Sequence, residues 1–115
     1  MPKISFIMPC FKTEYLKEAV RSLLNQTLED IEIVLVQDNP EWELAKDEIT
    51  DKRVKLIKNP QNMGIANSYN IAIANTTAGI ICPLDDDDIA IPERAMITYD
   101  VFEQHPDIDI FYGSQ

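Results

Sequence analysis

Four aspartates in succession, Asp85 to Asp88, follow the apolar stretch Ile80 to Leu84 and precede Pro92. Adjacent carboxylates repel by about 1 kcal/mol per close pair even in solvated surroundings, so something should offset the charge of such a run. A divalent cation, Mg²⁺ or Mn²⁺, would do so, because it commonly takes one or two carboxylates from the protein and fills its other positions with water and substrate phosphates. In extended backbone Asp85 and Asp87 point to one side and Asp86 and Asp88 to the other, so one pair can face an ion while the other holds the loop or the ligand. On charge alone a solvated acidic loop is an equal alternative, since a helix N-terminus favours each nearby negative charge by only about 0.3 to 1 kcal/mol. An EF-hand calcium loop fails on spacing. Counting from Asp85 puts Ala90 where a glycine is required and Met96 where the bidentate glutamate belongs.

The other reactive side chains are sparse. Cys10 and Cys82 form neither a disulfide framework nor a CxxC knuckle and read as packed thiols. His105, the lone histidine, precedes Pro106 at a helix end with no activated serine or cysteine motif around it. The chain of 115 residues carries 20 acidic and 10 basic side chains, a net charge of −10. Nucleic acid and anionic lipid would be repelled, and a diphosphate would need an intervening cation. The start, MPKISFIMP, has no long apolar region followed by a cleavage site, and no stretch is apolar enough to span a membrane, so the expected location is cytoplasmic. Attachment at the inner face of a membrane through other parts of a longer protein fits that expectation.

The elements that must position the aspartates alternate along one domain, residues 1–115. Strands are predicted at Ile4 to Met8, closed by Pro9, then at Ile31 to Val36, Val54 to Ile57, Ile80 to Leu84 and Ile108 to Tyr112. Pro83 lacks a ladder donor, so pairing of the fourth strand is expected to end by Cys82. The first helix shows its stripe at Leu16, Ala19, Val20, Leu23 and Leu24, with Thr13 placed to cap it. A second carries Trp42, Ala45 and Ile49. A third opens at Gly64 with Ile65, Tyr69, Ala72 and Ile73 as its buried face, and a fourth runs from Pro92 through Ala95, Met96, Tyr99 and Phe102. This alternation predicts an α/β, Rossmann-like three-layer sandwich with a mostly parallel central sheet. Ligands of such folds sit at the carboxyl ends of the strands, here Pro9 to Lys12, Gln37 to Asn39, Asn59 to Gly64 and Asp85 to Asp88.

Those loops carry a resemblance. Family 2 glycosyltransferases of the GT-A fold open with a strand ending in P-x-Y-N, then a helix ending near L-x-Q, a strand E-I-I-V-V-D-D-G-S, an N-x-G segment, and L-D-x-D-D followed by proline. The corresponding stretches here are MPCFK, SLLNQT, IEIVLVQDN, NMG and LDDDDIAIP. Across essentially all its residues the chain resembles the N-terminal, nucleotide-sugar-binding half of that family. The resemblance implies a truncated GT-A domain of nucleotide-diphospho-sugar transferase type, moving a sugar to an acceptor hydroxyl with inversion.

It further implies a metal site for Mn²⁺ or Mg²⁺ at Asp87, supported by Asp85, and nucleotide contacts from Pro9, Phe11, Glu14, Asp38, Asp85 and Asp86. Asp38 would accept a hydrogen bond from the base and Phe11 could stack on it. For Phe11 and Glu14, packing or helix-start charge is an equal alternative. The donor would be a UDP-sugar, with a GDP-sugar as the second choice. The glycan or lipid-linked acceptor and the catalytic base would belong to a half not present, so no catalytic residue is expected here. Gln37 and Asn39-Pro40 depart from the family's acid and Gly-Ser, which loosens the inference about the base, and Lys12 stands where Asn is usual. Two other classes stand beside this one: a non-catalytic nucleotide- or metal-binding module, and a phosphoacceptor receiver domain. The receiver would need an acid pair after strand one and a lysine after strand five, where this chain has Pro9-Cys10 and Gly113-Ser114.

Overall fold

Strands and helices alternate in the computed structural model of the chain, which describes residues 2–11, 14–41 and 51–110. The elements are β1 (Ile4–Cys10), α1 (Leu16–Leu24), β2 (Ile31–Gln37), β3 (Val54–Lys58), α2 (Ile65–Ala74), β4 (Ile81–Pro83) and α3 (Arg94–Gln104). The four strands pair in parallel in the order β3-β2-β1-β4.

Side chains on a strand alternate between faces, and both central strands use both faces. Ile4, Phe6, Met8 and Cys10 of β1 join Ile31, Ile33 and Leu35 of β2 in a core shared with Leu16, Ala19, Val20 and Leu23 of α1 and Ala95 of α3. Ile7, Val34 and Val36 turn the other way onto Ala72 of α2. The sheet is therefore covered on both sides, which is why these strands read as continuous apolar runs. The three-layer parallel sandwich expected from the sequence is the fold found. Each fully buried side chain such as Phe6 or Ile33 contributes about 1.5 to 3 kcal/mol through removal from water.

Pro9 lies inside β1 rather than closing it, and pairing of β4 runs one residue past Cys82 to Pro83, its last residue, for a common reason. Ser5 N–H donates to Ile80 O and Leu84 N–H to Ile7 O, so odd-numbered residues of β1 face β4. Asp38 N–H donates to Cys10 O, so even-numbered ones face β2. The missing N–H of Pro9 thus lies on the β4 side beyond the last pair, Ile7 with Pro83, while Pro9 still pairs with Val36. The missing donor of Pro83 faces away from β1, at the edge of the described sheet. There the Pro83 carbonyl accepts from Arg94 Nη2 at 2.9 Å.

The helices depart from expectation in three places. The buried face of α2 is rotated: Ser68 and Ala72 are buried, whereas Ile65 and Ile73 are exposed. Ser68 takes the inward position because its hydroxyl accepts from the buried Asn59 amide at 3.2 Å, a polar demand that apolar periodicity does not register. The residue preceding α1 is Tyr15, with no side-chain cap, and α3 begins two residues after Pro92. Ile108 to Ile110 form no strand, and the remainder of that expected strand lies outside the described residues, as do Thr13 and the helix expected around Trp42, Ala45 and Ile49. No helix among the described residues is long and apolar enough to cross a membrane.

Candidate functional site at the carboxyl ends of the strands

The chain steps outward from β1 to β2 to β3 and then returns to the far side of β1 as β4. The order reverses between β1 and β4, and in open α/β sheets the ligand crevice forms outside the carboxyl ends at that point. Two segments meet there: Pro9 to Phe11 leaving β1, and Leu84 to Asp88 leaving β4.

The aspartate run does not continue as extended chain. Asp88 N–H donates to Asp85 O at 3.1 Å, closing a turn over Asp86 and Asp87. This replaces the expected two-and-two division. Asp85, Asp87 and Asp88 each place a carboxylate oxygen within 4.8 Å of the others, all three exposed. Asp86 is half-buried and turned toward β1, where it accepts from the Phe11 backbone N–H. Burial, then the charge of Asp87 and of Asp85, pushes the Asp86 carboxyl above the usual range despite backbone hydrogen bonds. Among the described residues the ion pairs are Arg53 with Asp51 and Lys55 with Glu32, and none reaches the run. An oxygen-only donor set of this kind suits a hard divalent cation.

Tyr69 of α2 reaches the same cluster, its hydroxyl 3.4 Å from Asp85 Oδ1. Burial, then the Asp85 charge, raises the pKa of that phenol, so it remains a donor. The sequence had assigned Tyr69 to the core, and the ring does pack partly there.

Asp38 is only 6% exposed and holds the neighbouring loop together. Its Oδ1 accepts from Asn59 Nδ2 at 2.9 Å and from Met63 N–H at 2.7 Å, and its Oδ2 accepts from Gly64 N–H at 3.0 Å. Burial raises its pKa, but the bonds from Met63, Asn59, Gly64 and Ser68 outweigh it and keep the carboxyl below the usual range. Gly64 enters α2 at φ 87° and ψ 161°, a conformation open essentially to glycine alone. The Gln37 departure has a local explanation. Its side chain is buried and donates to Asn39 O at 2.6 Å, closing the exit from β2.

Pro9 is half-buried at the end of β1, and Phe11 and Glu14 are exposed. Lys12 lies outside the described residues. Cys10 is buried at the end of β1, where burial and then the charges of Asp86 and Asp38 push its thiol up to about 12. Burial likewise raises Cys82. Both thiols stay protonated and fit packing rather than ligation. Sequence reasoning missed Asp88 as a member of the cluster and Tyr69 as its neighbour. A run of consecutive aspartates, a residue type that favours turns, was the available signal for the first; nothing in the apolar pattern distinguished the second.

Comparison with known proteins agrees with this fold. The fold is that of GT-A glycosyltransferases. The family model described as glycosyl transferase family 2 matches residues 5–114, and the chain belongs to that family. It is 36% identical over 119 aligned positions to an uncharacterised glycosyltransferase of Methanocaldococcus jannaschii, covering 97% of this chain and 41% of that protein. It is 34% identical to the amylovoran biosynthesis glycosyltransferase AmsE of Erwinia amylovora, covering 84% of this chain and 38% of that one. The chain thus spans less than half the length of these relatives. Among solved structures, S. aureus TarS 1-349 in complex with UDP-GlcNAc superposes with a TM-score of 0.76 at 20% identity, over 90% of this chain and 32% of that chain. The mannosyltransferase PcManGT of Pyrobaculum calidifontis, in complex with GDP-Man and Mn²⁺, gives 0.70 at 19%, over 87% of this chain and 31% of that one.

Proposed function

We propose that the protein transfers a sugar from a nucleotide-diphosphate donor to an acceptor hydroxyl, with inversion, and that residues 1–115 form the donor-binding part. The observation that carries this reading is the clustering of Asp85, Asp87 and Asp88 within 4.8 Å at the switch point of a parallel sheet. That the relatives are glycosyltransferases, and that two structures sharing the fold hold nucleotide sugars, supports it.

Asp87 and Asp85, joined by Asp88, would hold Mn²⁺ or Mg²⁺. Bound there, the ion would supply positive charge against the diphosphate leaving group. Tyr69 orients Asp85 from the α2 side. Asp86, through the Phe11 N–H, ties the acidic loop to the exit of β1, where Pro9 and the exposed Phe11 ring offer a surface for the base, with Glu14 at its rim. Asp38 shapes the opposite wall by holding the loop from Asn59 to Gly64, and a base N–H would be a further donor to it. The chemistry of the base contact suits uracil or guanine, and a UDP-sugar is the donor we favour. Acceptor binding, for a glycan or lipid-linked acceptor, and the general base are assigned to parts of a longer protein beyond these residues.

The test is a set of ligand-observed NMR titrations of the chain with UDP-GlcNAc, GDP-mannose and ATP, each with and without Mg²⁺. The reading expects Mg²⁺-dependent binding of a nucleotide sugar and weaker binding of ATP. Failure of both nucleotide sugars to bind with Mg²⁺ present would overturn it.

A further inference from the structure

We propose that Gln26, just past the end of α1, is a positioning residue for the acidic loop. The inference rests on the reading of that loop as a donor-metal site. Between Leu84 and Arg94 the chain has no helix or strand, and Ile89 and Ile91 stand 69% and 59% exposed. Within the segment Leu84 and Ala90 are buried in the core, and hydrogen bonds at the two ends share with them the task of fixing the carboxylates. The front is tied to the sheet, where Leu84 N–H donates to Ile7 O at 3.1 Å.

The rear is tied to α1 by a buried polar set. The Gln26 side chain, 4% exposed, donates from Nε2 to Ser22 O at 3.0 Å and to Ile91 O at 2.7 Å. Its Oε1 accepts from Ala95 N–H at 2.8 Å. Thr27 N–H donates to Pro92 O at 2.8 Å. One turn back, Ser22 Oγ donates to Ala19 O at 2.7 Å and accepts from Ala90 N–H at 3.0 Å. Asp85 to Asp88 thus span a short stretch between an anchor at Leu84 and one at Ala90, and Gln26 holds the chain just beyond.

A primary amide suits this place. It offers two donors to carbonyls and an acceptor to an N–H without adding charge beside four aspartates. The glutamine that the sequence marked only as part of SLLNQT thereby has a specific task. An apolar side chain of similar size would leave Ile91 O and Ala95 N–H without these partners and free the loop to move relative to α1. A shift of the carboxylates by a fraction of an ångström is enough to weaken an oxygen-donor cluster.

The experiment measures Mn²⁺ affinity by electron paramagnetic resonance and amide hydrogen exchange by NMR, at a temperature where each variant is folded. The variants are Gln26→Leu, Ser22→Ala and, as control at the opposite end of the sheet, Ser5→Ala, which removes an acceptor from Ala78 N–H. Gln26→Leu should speed exchange at Ala90 and Ala95 and lower Mn²⁺ affinity about tenfold, the low end of the cost of losing outer-shell support. Ser22→Ala should speed Ala90 and lower affinity less. Ser5→Ala should lower the melting temperature while leaving Mn²⁺ affinity unchanged, which separates positioning from general stability. Unchanged affinity in Gln26→Leu, or an equal loss in Ser5→Ala, overturns the proposal. If Gln26→Leu does not fold, Ser22→Ala decides, and unchanged affinity there overturns it. Absence of Mn²⁺ binding by the wild type would instead sink the donor-metal reading, and this inference with it.

Discussion

Asn59 Nδ2 donates to Asp38 Oδ1 across 2.9 Å inside the protein, joining the exit of β2 to the exit of β3. The same carboxylate gathers the Met63 and Gly64 N–H groups, so it determines how the chain enters α2. Asp38→Ala leaves these donors without that acceptor in a buried place. Each orphaned group costs about 1 to 3 kcal/mol, and a total loss of about 2 to 4 kcal/mol is expected from urea denaturation after partial relaxation.

The pH dependence follows from the same bonds. The folded-state pKa of Asp38 is depressed, so its contribution is fully present above the unfolded value near 3.9 and is lost as pH falls through the folded value. Glu32 behaves alike: burial opposes its ionisation, but bonds from Ser5 and Thr77 prevail. Stability of the wild type should therefore fall steeply below about pH 4, and Asp38→Asn should flatten that acid limb. Denaturation midpoints between pH 2 and 7 check this.

Gly64→Ala isolates a backbone effect. A Cβ at this position meets nothing within 4 Å, so crowding contributes no penalty. The positive φ remains, and holding a non-glycine residue there costs about 1 to 3 kcal/mol. Thermal melts should show that loss, with a circular dichroism spectrum unchanged at low temperature.

Asp86→Asn should have the opposite sign. Its folded-state pKa is raised, by burial first and by Asp87 and Asp85 next, so ionised Asp86 weakens the fold at neutral pH and the penalty fades as pH falls toward the unfolded value. The variant should melt above the wild type at pH 7 and lose that advantage near pH 4. Equal melting temperatures at pH 7 would contradict the half-buried, repelled state of this carboxylate.

Much of this was legible in the sequence, and the exceptions have physical causes. The strands were readable because two-sided burial leaves unbroken apolar runs such as Ile33 to Val36. The candidate crevice was placed by the carboxyl-end rule alone, without strand order. What escaped was directional. Whether Pro9 interrupts β1 depends on which side its missing N–H faces, and whether Ser68 or Ile65 turns inward depends on Asn59, close in space but not predicted by periodicity. The turn at Asp86 and Asp87, set by one backbone bond, brings Asp88 beside the expected pair Asp85 and Asp87.

That reassignment can be read out directly. Asp88→Asn should weaken Mn²⁺ binding about tenfold, whereas Asp86→Asn, outside the cluster, should change it by less than about threefold. Electron paramagnetic resonance titration of the two variants distinguishes them: equal effects would restore the alternating arrangement expected of extended chain, which puts Asp86 and Asp88 on one side, and a reversed order would contradict the cluster.

The central claim is that the aspartate run holds a nucleotide diphosphate through a divalent ion. Calorimetric titration of UDP and GDP into wild type and Asp87→Ala, with and without Mn²⁺, tests it most directly. The account predicts Mn²⁺-dependent binding of a nucleoside diphosphate by the wild type and its loss in Asp87→Ala. Equal binding by the two proteins in the presence of Mn²⁺ would contradict it.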